Sequence, residues 1–266
     1  MDTSVLADRT AYLADLTKRI QASWPEGLPL EPEYPFGQVS VPDYLRAWAD
    51  RKGDEVAIDF YGRPLSWKDL NAYSDAFASF LDEKGVGVGD RVAVFLPNCP
   101  QFSIAFFGIL KRGAILVPVN PMVKGRELAH YLEDSGARLV LALDTLSGLV
   151  KEIDPENRLT VVSTALSDFL RDEPAYPVPA GALNPAMDVS GTIPLAVALA
   201  TPVRAEAMPE LGWDQIAAIN YTGGTTGLPK GCLHTHGDMI YTGACAATYC
   251  LPAGENDVIL SYLPQF

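Results

Sequence analysis

The residues of this chain best suited to chemistry are Tyr221-Thr222-Gly223-Gly224-Thr225-Thr226-Gly227-Leu228-Pro229-Lys230-Gly231, with four glycines, three threonines and one lysine in eleven positions. Glycines allow positive φ and let several backbone N–H groups converge on one point. Threonine hydroxyls add donors, and the lysine adds a mobile positive charge. Such a donor set suits a polyphosphate. The apolar run Ile216-Ala217-Ala218-Ile219-Asn220 precedes it and Cys232-Leu233-His234-Thr235-His236 follows, so the segment reads as a loop between two strands. The plain alternative is a flexible hairpin with solvated polar residues. A P-loop of the nucleotide triphosphatases is excluded. That pattern needs glycine before the lysine and a hydroxyl residue after it, whereas here Pro229 precedes Lys230 and Gly231 follows.

The run Thr222–Gly231 resembles the phosphate loop of the adenylate-forming enzymes, the superfamily of acyl-CoA synthetases, peptide-synthetase adenylation domains and beetle luciferases. Leu233-His234-Thr235-His236-Gly237-Asp238 resembles the family's continuation. Further resemblance lies in Leu65-Ser66-Trp67-Lys68-Asp69-Leu70, Gly89-Asp90-Arg91-Val92, Leu96-Pro97-Asn98 and Val117-Pro118-Val119-Asn120-Pro121, which read as markers of the fold and not of chemistry. The resemblance implies activation of a carboxylic acid by ATP to an acyl-adenylate, then transfer to a thiol such as coenzyme A. It implies ATP binding by Thr222, Gly223, Gly224, Thr225, Thr226, Gly227 and Lys230, with Thr225 near Mg²⁺ or a phosphate oxygen and Lys230 on the β- and γ-phosphates.

The first 170 residues, including Leu166-Ser167-Asp168-Phe169-Leu170, resemble the fatty acyl-CoA synthetase branch more than the peptide-synthetase one. Two other readings stand beside it: adenylation for a carrier-protein thiol, and a nucleotide-binding or interaction module without turnover. Leu263-Pro264-Gln265-Phe266 resembles the start of a family motif that continues with a histidine. The family's acidic Mg²⁺ residue, ribose-binding aspartate, hinge and C-terminal lysine domain have no counterpart here. The expectation is therefore an incomplete N-terminal domain, inactive alone, with an apolar surface at its end and a tendency to self-associate.

Composition narrows the classes. With 20 Lys plus Arg against 33 Asp plus Glu, a net charge of −13 excludes the basic face that nucleic acid requires. Hydrophobic residues make up 48 %, enough for a sizeable core. Cys99, Cys232, Cys245 and Cys250 form no Cys-x-x-Cys pair, so reduced, buried thiols in a cytoplasmic protein are expected. No secretory leader pattern opens the chain. The apolar run from Phe102 to Val119 is cut by Lys111-Arg112-Gly113, too early for a membrane span.

The elements that must position the loop follow from periodicity. Residues 1–35 read as an acidic helical arm, with Leu13, Leu16 and Ile20 on one helical face and a proline-rich exit. An oligomer contact or a membrane-surface helix is its functional reading, the acidic character speaks against the membrane, and packing on the body is the simpler one. Residues 36–266 read as one adenylation domain. A helix from Pro42 to Ala49, a strand at 56–60 and a turn at 61–64 come first. Ser66 and Asp69 predict a capping box, and Gly85 a helix stop. Strands at 91–96, 114–119, 138–143 and 159–162 alternate with helices after Asn98, at 126–134 and at 145–153. Strands apolar on both faces, alternating with helices, predict an α/β fold with a parallel sheet covered by helices on both sides.

Residues 173–209 read as an irregular crossing or a substrate-shaping excursion. Asp238 is expected to cap a helix reaching about Cys250, and 258–263 to form a last strand. His234 and His236, two apart, invite a metal, but no third ligand is visible and a structural role is expected. His130 reads as a partly exposed surface residue.

Overall fold

The computed structural model describes residues 3–223, 227–250 and 254–265. Its elements run α1 (Thr3–Ser23), α2 (Val41–Lys52), β1 (Val56–Phe60), β2 (Arg63–Ser66), α3 (Trp67–Glu83), β3 (Arg91–Phe95), α4 (Pro100–Lys111), β4 (Ile115–Pro118), α5 (Arg126–Ser135), β5 (Leu139–Leu143), α6 (Asp144–Ile153), β6 (Thr160–Thr164), β7 (Ile193–Pro194), α7 (Leu195–Leu199), β8 (Ile216–Thr222), β9 (Lys230–Thr235) and α8 (His236–Cys245). Seven strands form one sheet in the order β7-β6-β5-β3-β4-β8-β9, parallel except for β9. The α/β reading holds.

Alternation along each strand explains why helices lie on both faces. Val92 and Val94 of β3, with Leu139 and Leu141 of β5, enter one core with Leu70, Phe77 and Leu81 of α3 and Ile104 and Ile109 of α4. Ala93 and Phe95, with Val140 and Ala142, enter a second core with Leu128, Tyr131 and Leu132 of α5 and Val150 of α6. Each fully buried large aliphatic or aromatic side chain contributes roughly 1.5–3 kcal/mol. A sheet with one wet face would forfeit half of these.

Local signals agree where they are self-contained. Ser66 Oγ accepts from the Asp69 N–H at 3.0 Å, and Ser66 Oγ–H donates to Asp69 Oδ2 at 2.7 Å. Gly85, at φ +73°, ends α3. Other expectations need correction. The turn expected at 61–64 is shorter than that: Arg63 and Pro64 already belong to β2, which pairs antiparallel with β1 in a separate two-stranded sheet. Thr235, not Asp238, is the N-cap of α8; Asp238, the third residue of the helix, completes that capping box, and the helix gives way to a π-helical turn over Ala246–Cys250. The run 258–263 forms no strand. Its side chains point to solvent, with Val258 95 % and Leu260 80 % exposed. Residues 9–23 of α1 are exposed throughout, so the packing on the body comes from the following segment. There Trp24 meets Tyr249, Tyr34 meets Trp213, and Phe36 meets Tyr44 and Trp48. Of the four thiols only Cys99 is buried; desolvation pushes its pKa up to about 12.

α3 and α4 approach unusually closely. A Cβ on Gly108 would lie 2.8 Å from Phe77 Cδ1 and 3.0 Å from the Ser74 carbonyl oxygen, so no larger residue fits. Beside this contact Lys111, fully buried, pairs with Asp75 at 2.6 Å. It also donates to the Asn71 backbone oxygen at 2.9 Å and to Asn71 Oδ1 at 2.8 Å. Three acceptors thus meet the three N–H bonds of the ammonium. Burial still pulls its pKa down to about 8, against the opposing pull of Asp75. Removing one partner of such a pair strands a charge. Asp75→Ala is expected to cost about 3 kcal/mol in urea unfolding, with Asp75→Asn losing less. A loss below about 0.5 kcal/mol would show that the pair does not tie the two helices together.

Candidate nucleotide-binding edge

Parallel strands point their carboxyl ends to one edge, and the connections leaving them gather there. β3 lies between β4 and β5. It exits to α4, which packs in the first core, whereas β4 and β5 exit to α5 and α6, which pack in the second. Neighbouring connections that leave toward opposite faces open a crevice outside the strand ends, where ligands of open α/β sheets bind. β8 runs parallel beside β4, with Leu116 opposite Ala218, so it ends at the same edge. There the chain reverses into the antiparallel β9. Thr222 pairs with Lys230 and Tyr221 with Gly231.

The glycine-rich segment is therefore the connection of this hairpin, as its sequence implies. Thr222, Gly223, Gly227 and Lys230 are exposed. Gly224, Thr225 and Thr226, including the candidate Mg²⁺ contact, lie outside the described residues. Among the described residues nothing lies within 4 Å of where a Cβ on Gly223 or Gly227 would sit, so these glycines relieve no clash with them. Among the described residues no carboxylate pairs with Lys230. Two surface hollows of about 520 and 640 Å³ lie elsewhere, one beside Trp213 and Tyr241 and one beside Arg63 and Arg171.

Gly231 has a different task. A Cβ there would sit 2.6 Å from Ile219 Cγ2 and 3.3 Å from Tyr221 Cζ, so a side chain would displace Ile219 and crowd the Tyr221 ring across the hairpin. That ring packs on Tyr131 with centroids 4.5 Å apart, and its hydroxyl donates to Asp134 Oδ2 at 2.7 Å. Burial, then the Asp134 bond, push the phenol's pKa well up, keeping it a donor.

The histidines separate. His234 lies in β9, but His236 is the first residue of α8, so they do not share a strand face. His236 is buried, and its Nδ1 accepts from the Val41 N–H at 3.3 Å. Among the described residues no cluster of three His, Cys, Asp or Glu side chains is placed to hold a metal. His130 is half-buried and, instead of facing only solvent, reaches the Pro229 carbonyl with its Nε2 at 2.7 Å.

Asn98 is a residue whose role sequence reasoning missed. At the carboxyl end of β3, its Nδ2 donates to the Leu263 oxygen at 2.7 Å and the Ser261 oxygen at 3.2 Å, and its Oδ1 accepts from the Gln265 N–H at 2.9 Å. The segment 261–265 is thus pinned over the crevice. The signal available was the Leu96-Pro97-Asn98 run itself, a polar side chain directly after a buried strand.

A family model described as AMP-binding enzyme matches residues 45–266. The chain belongs to the AMP-binding enzyme family. The long-chain-fatty-acid–CoA ligase of Bacillus subtilis is 33% identical over 259 residues, covering 92% of this chain and 45% of the relative. The enzyme of the same name in Escherichia coli is 34% identical over 210 residues, covering 76% and 37%. A benzoate CoA ligase from Burkholderia xenovorans shares the fold, with a TM-score of 0.61 at 21% identity, over 76% of this chain and 36% of that one. The chain thus spans less than half the length of these relatives. Among the described residues no helix is long and apolar enough to cross a membrane.

Two outcomes follow from this geometry. Gly231→Ala is expected to destabilise the chain by about 1–3 kcal/mol by forcing the Ile219 side chain aside and crowding the Tyr221 ring. Gly243→Ala on the exposed side of α8, where a Cβ meets nothing within 4 Å, serves as the neutral or stabilising control. Equal urea midpoints for both would remove the steric role of Gly231. Burial pulls the His236 pKa down to about 4 from 6.5. The unfolded chain therefore binds more protons between these values, so this contribution is full above pH 6.5 and is lost as pH falls toward 4. His236→Asn, which keeps an acceptor near Nδ1, is expected to flatten the fall of Tm across that window; an unchanged slope would clear His236.

Proposed function

We propose that this chain supplies the triphosphate-binding part of an acid–CoA ligase. In the whole protein, ATP activates a carboxylic acid, a fatty acid, to an acyl-adenylate that coenzyme A then takes up. The observation that carries this reading is the glycine-rich hairpin connection at the carboxyl edge, with Lys230 exposed and paired with no carboxylate among the described residues. The fatty-acid assignment is supported by the two relatives named above.

The residues present suit a triphosphate. No described residue crowds Gly223 or Gly227, which suits the approach of an anion to backbone N–H groups. Thr222, Gly223, Gly224, Thr225, Thr226, Gly227 and Lys230 are the residues proposed to hold ATP, and Thr225 the residue proposed beside Mg²⁺. Mg²⁺, when bound, supplies charge neutralisation on the phosphates. Lys230 adds a charge-assisted hydrogen bond to the departing pyrophosphate, where negative charge gathers. The net charge of −13 opposes ATP at long range, so these short-range donors must outweigh a repulsive field. We further propose domain limits of 1–35 for the helical arm and 36–266 for the adenylation unit, a cytoplasmic setting, and self-association through the exposed apolar run 258–263.

The test is ATP titration of the chain with and without Mg²⁺, together with pyrophosphate release by the protein carrying it, across a fatty acid panel. One charge-assisted hydrogen bond is worth roughly 1.5–3 kcal/mol, so Lys230→Ala is expected to weaken ATP binding roughly ten- to a hundred-fold. Unchanged affinity would remove the lysine from the site.

A further inference from the structure

Among the described residues of the glycine-rich loop, Thr222, Gly223, Gly227 and Leu228 are exposed, yet both ends of the loop are tied to one helix. At the entrance stands Tyr221, the residue before Thr222. Its ring meets His130 edge-on with centroids 6.0 Å apart and tilts over Tyr131 at 4.5 Å, and its hydroxyl donates to Asp134. At the exit stands Pro229, the residue before Lys230, whose carbonyl oxygen lies 2.7 Å from His130 Nε2. A carbonyl can only accept, so Nε2 carries the proton and donates. His130, Tyr131 and Asp134 all belong to α5, which leaves β4 at the carboxyl edge and is anchored in the second core by Leu128, Tyr131 and Leu132.

We propose that His130 is a positioning residue: through Pro229 it fixes the exit of the glycine-rich loop on α5 and so sets where Lys230 is presented, while Tyr221 fixes the entrance. The ligand is the triphosphate of a nucleotide, and to that extent the inference rests on the reading under Proposed function.

The chemistry favours this arrangement. A loop that gathers N–H groups onto an anion gains by being ordered beforehand, because ordering at the moment of binding subtracts from affinity. The glycines that let the backbone approach a phosphate also leave it with much conformational entropy. Pro229 stiffens the exit through its fixed φ. A proline has no N–H to anchor, so its carbonyl is the one strong polar group it offers, and His130 takes that group. Hydrogen-bonding from a helix whose inner face is buried transfers the rigidity of the second core to the loop. Lys230, on a flexible stem, then starts from a fixed Cα.

The test compares His130→Phe, which keeps a ring against Tyr221 but removes the donor, with His130→Gln, whose Nε2 can replace it. Two readouts are taken on the full chain: amide hydrogen exchange of the segment 227–235 without nucleotide, and the Kd for MgATP. Loss of one neutral hydrogen bond is expected to speed exchange and to weaken MgATP about five-fold in His130→Phe. His130→Gln is expected to stay within about two-fold of the unsubstituted chain in both. Unchanged exchange in His130→Phe overturns the positioning role, as does a Gln variant that fails as badly as Phe. If the unsubstituted chain does not bind MgATP, the nucleotide reading fails and the proposal's nucleotide part with it, while exchange still decides whether His130 orders the loop. Faster exchange with unaltered MgATP affinity would show that the ordering does not serve nucleotide binding, and would likewise overturn the proposal.

Discussion

β8 pairs with two neighbours of opposite direction, parallel with β4 and antiparallel with β9. The parallel pairing brings the carboxyl end of β8 to the edge where β3, β4 and β5 also end. The antiparallel return allows a tight connection instead of the long crossover that a parallel partner would need. A short backbone loop rich in N–H donors is thereby held at the one edge of the sheet where connections diverge. Had β9 been parallel, a helix would stand where Thr222–Gly231 now turns.

Charge is managed at close range. The chain is strongly acidic, and most of its carboxylates are solvated. Its two most consequential lysines are treated in opposite ways. Lys111 is withdrawn from water and matched to three acceptors between α3 and α4. Lys230 is left in solvent on the first residue of β9. The first tells how closely two helices of the first core pack, and the second stands exposed beside the hairpin connection.

Two apolar stretches are left at the surface, the α1 stripe of Leu13, Leu16 and Ile20 and the run from Val258 to Leu263. The second is instructive. Its composition suits a strand, but a strand is defined by a partner, and no described neighbour offers its backbone. Among the described residues polar contacts flank and hold it: Lys52 and Arg51 reach Glu255, and Asn98 reaches residues 261–265.

Much of the fold was legible in the sequence, and the reason is local. Apolar strands of both-face character, the Ser66–Asp69 capping box, the Gly85 stop and a glycine-rich loop flanked by apolar runs each carry their signal within a few residues, because periodicity, capping and φ preference are properties of neighbouring groups. The proposal that the loop takes a polyphosphate rests on the same kind of local signal, since donors and charge are adjacent in the chain. Tertiary structure alone decided the strand order, the burial of Lys111, the pinning role of Asn98, the divorce of His234 from His236, and the reach of His130 to Pro229 across 99 residues. Each of these depends on which surfaces the two cores bring together, and no spacing along the chain records that distance in space.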